Sequence, residues 1–101
     1  MERGKGMKLI VLKTAINDVN EIHEALVEYG SGPSDKFKLS FKKFCTQVVV
    51  TPFMYPEYAP VPDYRRAVLE YGYLLFYKVD IKYGIVKIYR VLHGKRKVTL
   101  T

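Results

Sequence analysis

Tryptophan is absent from this 101-residue chain, cysteine occurs once and histidine twice. The lone Cys45 excludes an internal disulfide and any zinc site built on cysteines. His23 and His93 lie far apart, with no Asp or Glu at ligand spacing, so neither a metal nor a cofactor is expected. Walker-type and dinucleotide glycine patterns are missing too; Gly30-Ser31-Gly32 breaks a helical pattern and has no strand immediately before it. No apolar run approaches the roughly 18–20 residues of a spanning helix. Met1–Lys8 lacks the apolar stretch of a secretory leader, so a cytoplasmic protein with no membrane association is expected. Negative charge is also scarce. Ten Asp+Glu stand against 17 Lys+Arg, a formal net charge of +7. That excess favours an anionic partner, nucleic acid or an acidic protein; the plain alternative is a basic surface that only aids solubility.

What remains is ordinary globular material, 49% hydrophobic and 27% charged, in one chain long enough for a single core. Nine Tyr and five Phe make it rich in rings, and tyrosine serves half-wet contact surfaces because it carries a polar handle. Met1–Gly6 reads as a disordered extension and residues 7–101 as one domain.

Lys8–Lys13 (KLIVLK) reads as a strand. Thr14 offers a cap hydroxyl, and Ala15, Val19, Ile22, Leu26 and Tyr29 recur at helical spacing, with Asp18, Glu21, Glu24 and Glu28 directed away. Gly30 ends that helix. Pro33 or Ser34 opens a second one, with Phe37, Phe41, Phe44 and Val48 on one side and Lys36, Lys38, Lys42 and Lys43 on the other. Cys45 falls among those apolar residues and reads as a buried structural thiol. The short break forces an antiparallel helical hairpin, ending near Thr51 because Pro52 disfavours helix before it. Pro52–Pro62 is an ordered, extended connector whose aromatic residues pack on the domain. Strands are then expected over Asp63–Leu69, Gly72–Val79 and Ile85–Leu92, the middle one apolar on both faces and therefore central. The expected fold is α+β, β-α-α-β-β-β: a small twisted antiparallel meander with the hairpin on one face.

The candidate binding residues are cations: Arg65 and Arg66, Lys87 and Arg90, and the closing cluster His93, Lys95, Arg96 and Lys97. If the last three strands pair in order, Arg65–Arg66 and His93–Lys97 are expected at the same end of the sheet, where guanidinium groups would grip phosphate or carboxylate. The alternative is that both are solvated strand ends. His93 could carry a proton, but a histidine before glycine more commonly braces a turn.

KLIVLKTAINDVNEIHEAL, PFMYPEY, YRRAVLEYGYLLFYKVD and IYRVLHGKRK, in that order, resemble the RelE/ParE superfamily of type II toxin–antitoxin toxins. The resemblance runs from Met7 to Lys97 and implies a growth-arresting, plasmid-stabilising toxin neutralised by a protein antitoxin, as a homodimer or a toxin–antitoxin heterotetramer. RelE-like members cut mRNA on the ribosome without a metal; ParE-like members poison DNA gyrase by binding it. The nuclease pattern fits in part. Arg65 and Arg96 match basic positions, whereas two others fall on Ala67 and Leu74, and the tyrosine expected about six residues past Arg96 has no counterpart. PFMYPEY and RVLHGKRK are similar to the gyrase-poison branch, which is the favoured reading. The alternative is a ribosome-dependent endoribonuclease using Arg65, His93 and Arg96.

Overall fold

The structure is a computed structural model that describes residues 6–94, 98 and 100. Strand β1 (Lys8–Val11) leads into helix α1 (Lys13–Val27), which turns at Gly30 into helix α2 (Ser31–Val48). A turn-rich connector then reaches β2 (Arg65–Val68), β3 (Tyr73–Asp80) and β4 (Ile85–His93). The sheet order is β1-β4-β3-β2. The last three strands form the expected antiparallel meander, and β1 joins β4 in parallel. The fold is therefore the predicted α+β arrangement, with β3 and β4 both interior.

Strand alternation sorts the sheet into two faces. One face sends Ala67, Leu75, Tyr77, Val86, Ile88 and Val91 against Ala15 and Val19 of α1 and Phe37, Phe44 and Val48 of α2. The other carries a smaller cluster of Tyr64, Phe76 and Leu92, against which Val98 and Leu100 pack. This two-sided burial explains why the β3 sequence is apolar at nearly every position.

Several local expectations are corrected. Helix α1 starts at Lys13 and has no side-chain cap; the Thr14 hydroxyl instead donates to the Tyr89 carbonyl at 2.8 Å, tying the helix to β4. It also ends at Val27, which leaves Tyr29 79% exposed, off the apolar face. Asp18 does not face outward. Positions 15, 18 and 22 share one side of a helix, so Asp18 points at the sheet beside Ala15. Helix α2 begins at Ser31, earlier than Pro33, because a proline in the first turn removes only an N–H that has no helical partner anyway. The connector is ordered but turned, with its rings on the core: Tyr55 packs against Phe44, and Tyr58 against Phe76 at 5.0 Å between centroids. His23 is half-buried, with its Nδ1 sequestered and lacking a hydrogen-bond partner among the described residues.

Two turns need glycine. Gly84 closes the β3–β4 connection at φ 65°, in the left-handed region that side chains resist. At Gly94, an added Cβ would stand 2.9 Å from the Gly72 carbonyl oxygen, so the chain leaves β4 past the β2–β3 turn only without a side chain. Among the described residues, no helix is long and apolar enough to cross a membrane.

Candidate functional site

The predicted cations do not converge. In an antiparallel meander the first and third strands run the same way, so the start of β2 and the end of β4 lie at opposite ends. Register makes this concrete: Arg65 pairs with Tyr77, itself opposite Ile88, whereas His93 pairs with Tyr73. Five residues along β4 separate the two levels, about 16 Å at ~3.3 Å per residue. Lys95, Arg96 and Lys97 lie outside the described residues.

Arg90 is occupied. Strand β1 stops opposite Ile88, so the β4 edge beyond it has no strand partner. The Asp18 carboxylate takes that place, accepting from Arg90 Nε at 2.7 Å, from Arg90 Nη2 at 3.0 Å and from the Val91 N–H at 3.0 Å. Those hydrogen bonds hold the guanidinium above its ordinary pKa. Arg65 is also engaged: its Nη1 donates to the Tyr55 carbonyl at 2.6 Å, Glu57 lies 3.8 Å away, and the Phe53 ring centroid is 4.8 Å from its Cζ. His93 stacks edge-on against Tyr73, the bracing contact of a turn histidine.

Near Arg65 sits the one fully buried phenol among the described residues. Tyr77 is 0% exposed, its hydroxyl donates to the Pro52 carbonyl at 2.7 Å, and burial pushes its pKa up to about 12. A tyrosine that takes a proton must ionise more easily than usual; this one resists. Cys45 behaves alike, burial pushing its thiol up to about 11. Native protein at pH 8 is therefore expected to react with a disulfide reagent on the order of 100-fold more slowly than unfolded protein, since the thiolate is the nucleophile. Equal rates would contradict a shielded thiol.

The helix-free face of the sheet carries a further group of cations. Lys78 and Lys87 are direct cross-strand partners. Lys78 Nζ lies 4.6 Å from the Tyr64 ring centroid and 5.3 Å from that of Tyr89, held between two rings that themselves meet edge-on. Arg66 reaches over Tyr58 on the same face, and β1 register puts Lys8 there, since Leu9 and Val11 face the helices. A cleft of about 350 Å³ runs between Lys78, Lys87, Tyr89, Asp80 and Ile81. Lys78 went unselected in the sequence because it is one cation in an apolar run. Its period-2 phase, opposite to Tyr77 and Val79, was the available signal. On the helical side a smaller apolar groove of about 230 Å³ lies between Val11, Ile16, Val19 and Phe41.

Set against known proteins, residues 9–98 match the family described as ParE toxin of type II toxin-antitoxin system, parDE. The chain belongs to the ParE toxin family. The fold of this ParE-family toxin is similar to that of the chromosomal ParDE system from P. aeruginosa, with TM-score 0.70 and 19% identity over 88% of this chain and 97% of that one. It is also similar to the intact E. coli RelBE toxin–antitoxin complex, at TM-score 0.65 and 21% identity over 89% of this chain and 99% of the other. A double mutant of E. coli toxin RelE in the free state gives TM-score 0.64 and 20% identity, covering 89% of this chain and 85% of that one. No curated protein sequence matches this one significantly. At these identities the structural likenesses speak for the shared fold, and the family match makes this ParE-family chain a type II toxin.

Proposed function

We propose that this toxin poisons DNA gyrase by binding it, without cutting RNA, and that an acidic cognate antitoxin holds it inactive. The observation that carries this reading is the state of the residues a metal-free nuclease would need. Positions 67 and 74 are Ala67 and Leu74, packed in the two apolar clusters. Arg65 is held by Tyr55 and Glu57, and the nearby Tyr77 phenol is driven away from ionisation. A site that must position a phosphate, stabilise its charge and accept a proton depends on several groups acting together. Family membership supports the gyrase-poison branch. The ribosome-dependent endoribonuclease, acting on mRNA through Arg65, His93 and Arg96, is the alternative.

The antitoxin proposal draws on the ParDE and RelBE toxin–antitoxin structures that share this fold. Apolar side chains of the antitoxin fit the groove beside Ile16 and Phe41, and its acidic residues are drawn by the +7 charge. Association is expected to slow as salt rises, because screening weakens steering.

The test of function is gyrase itself. Purified toxin added at stoichiometric amounts to gyrase and relaxed plasmid is expected to block supercoiling, and prior mixing with antitoxin should restore it. Undiminished supercoiling at molar excess would contradict the reading.

A further inference from the structure

Two lysines directly opposite each other on neighbouring strands repel, and an antiparallel pair at that register is destabilising. Lys78 and Lys87 occupy this arrangement, and neither forms an ion pair among the described residues. Two arginines of the same sheet do have carboxylate partners: Arg90 has Asp18 and Arg65 has Glu57. A cross-strand lysine pair with no ion-pair partner among the described residues fits a surface whose anion arrives with a partner.

The neighbourhood identifies the chemistry of that partner. The cleft between the lysines continues into the β3–β4 turn, where Ile81 is 70% and Tyr83 67% exposed. An isoleucine gains free energy by burial against other side chains, and a phosphodiester backbone offers it nothing comparable. The Tyr64 ring is buried with Lys78 over it and offers no face to a base, while the exposed Tyr83 ring has Lys82 Nζ 5.3 Å from its centroid. The Asp80 carboxylate lines the same cleft and accepts the Tyr83 N–H, so this surface carries both signs of charge. An exposed apolar anchor beside partly buried cations is instead the anatomy of a protein interface.

We infer that the helix-free sheet face, centred on Lys78, Lys87 and the Ile81 turn, docks an acidic protein surface that presents an apolar side chain next to its carboxylates. This deepens the reading of the chain as a protein-binding toxin and rests on it. The occupant is the target enzyme, whereas the apolar groove on the helical side fits the antitoxin.

The experiment uses full-length Lys78→Gln/Lys87→Gln, Lys87→Glu and Ile81→Ser variants. Each is measured for inhibition of the gyrase holoenzyme, for affinity toward the cognate antitoxin, and for Tm. The double glutamine variant is expected to lose inhibitory potency by roughly 10- to 100-fold, while antitoxin affinity falls by no more than about 3-fold through weaker steering. Lys87→Glu turns repulsion into attraction, so its Tm should hold or rise by roughly 2–4 °C while inhibition falls. That opposite movement of stability and activity is what a merely structural role would not produce. Wild-type potency in the glutamine variant overturns the inference. So does loss of antitoxin binding with gyrase inhibition intact, or selective loss of duplex DNA binding in a filter assay. A wild-type protein that leaves gyrase untouched overturns the functional reading, and this inference with it.

Discussion

Tyr77→Ala is expected to cost about 3–5 kcal/mol, the range for removing a large ring from a packed core. Tyr77 sits where three parts of the chain meet. Its ring packs edge-on against Phe44 of α2 at 5.3 Å and against Tyr55 of the connector at 6.4 Å, while its backbone belongs to central strand β3. Its hydroxyl fastens the Pro52 carbonyl just after α2. Truncation would open a cavity under the connector and orphan that carbonyl at once. Tyr77→Phe separates the two effects: it keeps the ring and should cost about 1–1.5 kcal/mol for the lost hydrogen bond. Chemical denaturation with an unchanged m-value checks both numbers, and a Tyr77→Ala loss below about 1 kcal/mol would show that the ring is not a keystone.

The same residue sets a pH dependence. Its pKa is about 12 in the fold against an ordinary value of 10.0. Below pH 10 the phenol is neutral in both folded and unfolded chains, so its contribution is fully present. Between pH 10 and 12 the unfolded chain releases its proton first, and stability falls as pH rises, by about 2–3 kcal/mol for a shift of this size. Tyr77→Phe should flatten that alkaline loss relative to wild type, the other tyrosines supplying a common background.

Asp18→Ala is expected to destabilise the protein by about 3 kcal/mol, lowering Tm by roughly 12–20 °C for a domain of this size. One carboxylate satisfies three donors, and its side chain is 12% exposed, that of Arg90 22%. Removing it leaves a guanidinium and a strand-edge N–H without their acceptor in a partly dry place, which costs more than an exposed ion pair ever contributes. Asp18→Asn keeps an acceptor for the Val91 N–H and should fall between. A Tm within about 2 °C of wild type in Asp18→Ala would mean that water replaces the carboxylate freely. Because α1 contacts β4 through this pair and the Thr14 hydroxyl, the destabilised variants should also lose the apolar groove bordered by Ile16 and Val19.

Periodicity made the layers legible. The 4-3-4 spacing of Ala15, Val19, Ile22 and Leu26, the stripe from Phe37 to Val48 and the two-sided apolar run of β3 located the core before any coordinates. Pairing direction was the point at which sequence reasoning about the site failed. The meander was expected correctly, yet its consequence, parallel first and third strands, puts Arg65 and His93 at different levels. Asp18 misled for a related reason. A charged residue in a helix is usually solvated, and only β1 stopping short of Tyr89 creates a strand edge in need of an acceptor. Lys78 was hidden because its partner, Lys87, lies nine positions on, and cross-strand register is not written in either residue alone.

Primer extension along translated messages after induction of the toxin tests the central claim most directly, namely that this toxin acts without hydrolysing RNA. Full-length extension products with no new codon-phased ends are predicted, even as growth stops. Discrete ends within codons that vanish in Arg65→Ala would contradict the account, because they would make a catalytic group of an arginine assigned here to holding the connector.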